Sequence, residues 1–170
     1  SGFKGEGLGI RTATDQPLYP AFMKGKGANM TGGGGGNGHF SGGGGGSNYG
    51  RGSVGDQEIA PDVCGGLNPG GREGFSISSY PTLNTGVFMG GGGGASVYLT
   101  TPSVSAGANG GGIVIIHADT IVGNGRIITA SGATALNNTV ANSGAGGGGG
   151  GGSVILSSRS YVSAPVLSSD

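Results

Sequence analysis

His117 and Asp119 stand two residues apart in "IVIIHADTIV", the spacing that puts two side chains on one face of a strand. A histidine oriented by a carboxylate can serve as general base toward a serine or cysteine, so this pair is where nucleophilic chemistry could be assembled. Val114 and Ile116 alternate with them, however. The simpler reading is the polar outer face of a strand whose inner face carries the apolar pair. His39, in "NGHFSGG", reads as a spacer whose ring caps the end of a glycine stack. Cys64 is the chain's single cysteine and cannot form an internal disulfide. It reads as a small buried apolar residue, with an intermolecular or reactive thiol as the alternative. One cysteine and two histidines supply no metal site of the usual ligand spacing, and no cofactor is expected.

Runs of glycine satisfy phosphate-binding patterns automatically, which makes those matches empty of meaning. The dinucleotide fingerprint needs strand, glycine turn and helix in that order, and here the glycines precede β-branched segments. Lys24 and Lys26, in "MKGKGAN", lack the hydroxyl residue that closes a P-loop. Phe40, Tyr49, Phe75, Phe88 and Tyr98 lie within a few residues of glycine runs, where flat rings could shield backbone hydrogen bonds from water. Asn48, Tyr49 and Arg51 form the candidate surface-contact set, with the aromatic ring stacking on the sugars of a receptor polysaccharide. No catalytic residue is assigned and the chain is not expected to be an enzyme.

The elements that must position these residues are unusual. Of 170 residues, 46 are glycine, 7 are proline and 9% are charged. No Gly-X-Y register runs through the chain, which excludes collagen. Low charge with 34% apolar residues argues against a disordered linker. Eight basic and eight acidic residues cancel, so neither nucleic acid nor an anionic membrane is expected as a partner. No apolar run approaches the roughly 20 residues of a membrane span. Opening on Ser1 without a signal peptide, the chain reads as a processed product or an excised part of something larger.

Glycine is concentrated in runs at Gly32 to Gly36, Gly42 to Gly46, Gly90 to Gly94, Gly110 to Gly112 and Gly146 to Gly152. A run in polyproline-II geometry can be approached by other backbones from several sides, giving and receiving hydrogen bonds between neighbours. Three times a run opens into a β-branched segment, so that Val97-Tyr98-Leu99, Val114-Ile115-Ile116 and Val154-Ile155-Leu156 superpose. Gly123-Asn124-Gly125 predicts a turn, as a hairpin or a solenoid corner. Residues 51–80 read as an irregular ordered loop, and 130–146 as an exposed one. The fold expected is a single all-β domain over 1–170 with negligible helix. Its glycine runs stack as polyproline-II segments beside a short-stranded sheet or solenoid spanning about 95–170. Edge strands such as 154–156 carry no capping element and invite pairing with another copy.

The blocks "KGEGLGI", "KGKGANMTGGGGGNGHFSGGGGGSNYGRG", "GVFMGGGGGA", "GANGGGIVIIHADTIVGNGRIITASG" and "GAGGGGGGGSVIL" resemble, in order, glycine-rich domains of very large secreted surface proteins and adhesins of Bacteroidota. That resemblance implies export by the type 9 secretion system, a cell-surface or released location, and a structural or adhesive role. The partner expected is a surface polysaccharide or cell receptor for an adhesive role, or, from the uncapped edges, a further copy of the chain as homo-oligomer or filament. Asp119-Thr120-Ile121 is similar to the acidic-hydroxyl-apolar motif for O-glycosylation in these bacteria, which implies a glycan on Thr120. The segment "IAPDVCGGLNPGGREGFSISSYPTLN" departs from the family pattern. The glycine runs alone are similar to polyglycine receptor-binding adhesins at the tips of phage tail fibres, the alternative function. Glycine-rich antifreeze proteins need a regular three-residue spacing that the chain lacks.

Overall fold

The structure, a computed structural model, describes residues 3–7, 25–37, 40–57, 70–83, 85–97, 105–136 and 143–170. It is strand-dominated, with almost no helix. Among the described residues the helical content is two single 3-10 turns, Ile77–Ser79 and Pro81–Leu83. Glycine is among the poorest helix formers and no stretch carries an apolar stripe at helical spacing, so no longer helix has a reason to form.

Four strands follow in chain order: β1 Ile113–Val122, β2 Ile127–Thr129, β3 Ser153–Val162 and β4 Val166–Ser168. β1 pairs in parallel with β3, and β2 in parallel with β4. Val114, Ile115 and Ile116 lie in register with Val154, Ile155 and Leu156, the residues they superpose on in the sequence. β1–β2 and β3–β4 are therefore two stacked rungs, each broken by a corner. In the first corner Asn124 has φ 45° and Gly125 φ 70°; in the second Ser163 has φ 49°. Left-handed backbone suits Asn and Gly, which is why the Gly-Asn-Gly signal falls there. The corners are stitched by the Gly123 N–H donating to the Ser163 carbonyl at 2.7 Å and the Asn124 N–H donating to Ser163 Oγ at 3.0 Å. Since β1 and β2 do not pair with each other, the turn is a solenoid-type corner and not a hairpin.

Of the third superposable segment the structure describes Val97. The N–H groups of Ala95, Ser96 and Val97 donate to the carbonyls of Phe3, Ser105 and Ser41, continuing the pattern of the glycines before them. Val97 therefore extends a glycine run. Tyr98 and Leu99 lie outside the described residues.

Among the described residues a side-chain core hardly exists. Among the described residues the buried apolar side chains are Ile77 and Ala130, and the rest of the interior is glycine backbone with Thr31, Ser41, Ser47, Ser76, Ser96 and Ser105. Buried hydroxyls need partners. Ser47 Oγ donates to the Phe75 carbonyl at 2.6 Å, and the Ser105 N–H donates to Ser96 Oγ at 3.1 Å.

Backbone bonds between remote glycine segments take the place of that core, and they run with a period of three. The N–H groups of Gly42 and Gly45 donate to Asp56 and Ser53, those of Gly43 and Gly46 to Ala145 and Gly148, and those of Gly44 and Ser47 to Gly34 and Thr31. Along the neighbouring run, Gly90, Gly93 and Ser96 donate to Gly111, Ala108 and Ser105, while Gly91, Gly94 and Val97 donate to Ser47, Gly44 and Ser41. Strand ladders repeat every two residues; three directions repeating every three is a different geometry. Residues 51–57 and 70–75, expected as irregular loop, join the same network through Gly52 to Gly74, Gly55 to Gly71, Gly71 to Gly42 and Gly74 to Gly45. Glycines spaced by three place a bare backbone at each contact, and the residues between them are free to be Arg, Ser or Val. The expected exposed loop 130–146 is likewise partly held, with the Gly132 N–H donating to Asp170 and the Ala133 N–H to Asn109.

Candidate functional site

Asn48, Tyr49 and Arg51 meet in one groove of about 530 Å³. One wall is the segment from Tyr49 to Val54, the floor is Gly43, Gly45 and Gly46, and the other wall is 147–152 with Ser169 and Asp170. The chain bends over residues 48–50, where no side chain hinders Gly50. Asn48 fixes the bend through Nδ2, which donates to the Phe88 carbonyl at 3.2 Å. The Tyr49 carbonyl accepts the hydroxyl of Ser76, so the backbone is held while the side chain is left 67% exposed. Arg51 reaches back to Glu73, its Nη1 3.6 Å from Oε1. An exposed ring beside a tethered cation, over a floor of peptide groups, can stack on a flat ligand and hydrogen-bond it from below.

His117 and Asp119 sit on the exposed positions of β1, above a shallow hollow shared with Ser157, Ser158 and Arg159. Asp119 is engaged by a cation. Asp119 Oδ1 lies 3.4 Å from Arg159 Nε across the strand pair. The Ser158 hydroxyl donates to the backbone carbonyls of Asp119 and Ser160, at 3.2 and 2.6 Å. That hydroxyl is turned to backbone, away from the role of a nucleophile held by a histidine. Replacing His117 with Ala is expected to leave thermal stability within the roughly 0.5 kcal/mol typical of surface changes, checked by a melting curve. Thr120 is exposed opposite Ser160, its Oγ1 3.0 Å from Ser160 Oγ.

His39, Cys64 and Lys24 lie outside the described residues, and the expectations placed on them rest there. Lys26 contributes its backbone carbonyl, which accepts the Arg72 N–H at 2.7 Å. Among the described residues no group of three or more His, Cys, Asp or Glu side chains could hold a metal, and no helix is long and apolar enough to cross a membrane. Sequence reasoning found the Asn48–Arg51 wall and missed the facing wall at 147–152. The available signal was the seven-residue glycine run itself, which carries no side chain to mark it. Compared with protein-family models, curated proteins and solved structures, the chain matches none.

Proposed function

We propose that the chain is a non-catalytic structural and adhesive module of an extracellular protein, built from polyproline-II glycine helices packed side by side and acting by assembly with further copies of itself. The three-residue period of the backbone bonds supports the polyproline-II reading. So do the glycine dihedrals, since Gly25 and Gly125 are the described glycines with positive φ. Far-UV circular dichroism with clear helical minima would sink it.

The observation that carries the assembly reading is the β1–β3 pair. It is a two-stranded parallel sheet whose outer edges have no strand partner among the described residues, and Ile113, Ile115, Val122, Ile155 and Val162 are exposed on it. Two strands alone are marginal in water, and unpaired edges template further pairing. β3 already stacks on β1 in parallel register, with Arg159 beside Asp119. Head-to-tail stacking of another copy sets its Asp119 beside this Arg159, continuing the ladder, and the net charge of zero adds no repulsion. Solution mass with electron microscopy tests this: ordered polymers are expected from the parent chain and their loss in Arg159→Asp. The swap Asp119→Arg with Arg159→Asp is expected to restore them. A strict monomer that binds cells would leave only adhesion.

Adhesion to a surface polysaccharide is the second reading, favoured by the exposed Tyr49 ring beside Arg51 at the edge of the groove and not by the groove's floor, with Tyr49→Ala as its probe. The resemblance to secreted surface proteins of Bacteroidota supports an extracellular setting and type 9 export. A phage tail-fibre tip is the alternative host of such a module. A glycan on Thr120, whose side chain is exposed, fits the extracellular setting.

A further inference from the structure

The segment 42–47 offers six hydrogen-bonding directions: three for its N–H groups and three for its carbonyls, each repeating every third residue. Its N–H groups use all three, toward 53–56, 145–148 and 31–34. Two carbonyl directions are used as well. Ser41, Gly44 and Ser47 accept from Val97, Gly94 and Gly91, and Gly42 and Gly45 accept from Gly71 and Gly74. The remaining carbonyls, Gly43 and Gly46, accept from nothing, and both residues belong to the groove floor.

The neighbours themselves show where the gap is. Segment 31–34 bonds to 92 and to 72, 71–74 bonds to 52–55, and 91–94 bonds to 147–150, so each neighbour touches the next around the central run. Among the described residues the ring is open in one place, between 53–56 and 145–148. Added methyl groups report the same opening. At Gly43, Gly44 or Gly46 a Cβ would overlap a neighbouring carbonyl, whereas at Gly45 its nearest contacts are Ser53 N at 3.0 Å and Gly148 O at 3.7 Å, one on each wall. On the second wall the N–H groups of Gly148 and Gly151, three residues apart, donate to nothing.

We propose that this groove is a vacant strand position that binds an extended glycine-rich peptide in polyproline-II conformation, with glycine at least at every third residue. The inference rests on reading the glycine runs as polyproline-II helices. The peptide's N–H groups donate to the Gly43 and Gly46 carbonyls, and its own carbonyls accept from Gly148 and Gly151. Acceptors on the floor and donors on the wall share a three-residue repeat, which a polyproline-II peptide matches and a sugar chain does not. The floor is backbone, so a peptide residue whose Cα packs against it must lack a side chain, as Gly33, Gly52, Gly55 and Gly147 do where they pack against 42–46.

The test is titration of isotope-labelled full chain with a blocked peptide of Gly-Gly-Ser repeats, read by amide chemical shifts and by calorimetry. Expected are saturable shifts at Gly148 and Gly151, slowed exchange of those two amides, and no binding of an alanine peptide of equal length. Gly148→Pro removes one donor that has no partner within the chain, and a Cβ there has its nearest neighbour, Ala133 O, at 3.8 Å. That variant should fold and bind the peptide about tenfold more weakly or worse. Gly45→Ala, which fills the floor, is the second variant and should do the same. Absence of peptide binding, or shifts that avoid Gly148 and Gly151, overturns the proposal, as does an oligosaccharide taking the groove in the peptide's place. Circular dichroism of the free chain separates the two layers. A polyproline-II signature without peptide binding sinks this inference alone, and loss of that signature sinks the reading beneath it.

Discussion

A thermal melt of Gly93→Ala is expected to show no cooperative transition, whereas Gly112→Ala melts at or slightly above the parent. The two glycines differ in what a methyl group would meet. At Gly93 it would overlap the carbonyl group of Gly147, with the Gly148 oxygen at 2.8 Å; at Gly112 it would find nothing within 4 Å. The obstacle at Gly93 is backbone, which cannot rotate aside as a side chain can. Making room means shifting 145–150 away from 90–94 and losing the Gly147 to Gly94 and Gly150 to Gly91 bonds, 2.9 and 2.8 Å long. Each such bond contributes about 0.5–1.5 kcal/mol net, and overpacking adds about 1–3 kcal/mol. Neighbouring bonds along the same runs fail with them, which approaches the ~5–15 kcal/mol that holds a typical domain folded. Gly112, exposed and outside the left-handed region, loses only unfolded-state freedom on replacement and gains about 0.4–1 kcal/mol. Gly125→Ala falls between them: space is open, but φ 70° strains an alanine by about 1 kcal/mol. Equal and small losses at Gly93 and Gly112 would mean that the runs are solvated linkers.

Side-chain type explains which parts of this architecture could be read from the sequence. Val114-Ile115-Ile116 and Val154-Ile155-Leu156 announce strands because β-branched residues suit a pleated surface, and their likeness anticipates their register. The corner at Gly123-Asn124-Gly125 is legible for a similar local reason, the left-handed φ at Asn124 and Gly125. Glycine runs carry no such information. Nothing local says that Gly44 bonds to Gly34 and receives from Gly94, or that 145–148 runs parallel to 43–46 while 31–34 runs against 44–47. Those choices are made by remote backbone fitting backbone. Val97 looks like the start of a strand and belongs to a run, because its N–H follows the direction set by Gly91 and Gly94. Segments 51–57 and 70–75 look irregular when read for apolar periodicity. Read for glycine at every third position, Gly52 and Gly55, then Gly71 and Gly74, mark their place in the network. The same blindness hid half of the groove: Tyr49 and Arg51 are conspicuous side chains, and the wall at 147–152 has none.

Amide hydrogen exchange across 146–152 is expected to rise and fall with a period of three, the second large effect and the one that reads the geometry residue by residue. The N–H groups of Gly147, Gly149, Gly150 and Gly152 donate to Gly94, Ala133, Gly91 and Ala130 at 2.9, 2.9, 2.8 and 2.7 Å. Gly146 donates to Ser105 Oγ at 3.0 Å. Gly148 and Gly151 donate to nothing, and Gly148 is exposed. Bonded amides inside the network exchange only when it opens. An opening free energy of about 4 kcal/mol, below the ~5–15 kcal/mol of global unfolding, already slows them on the order of a thousandfold. The two free amides should exchange near the rate of an unstructured peptide within an otherwise protected run of the same residue type. Identical side chains remove the usual confusion of sequence effects with structural ones. In 42–47, where all six N–H groups have acceptors, protection should be continuous. A β-strand in place of the run would alternate with a period of two, and a solvated linker would exchange fast throughout. Either pattern would refute the three-direction packing on which the stability, the groove and the proposed peptide binding all rest.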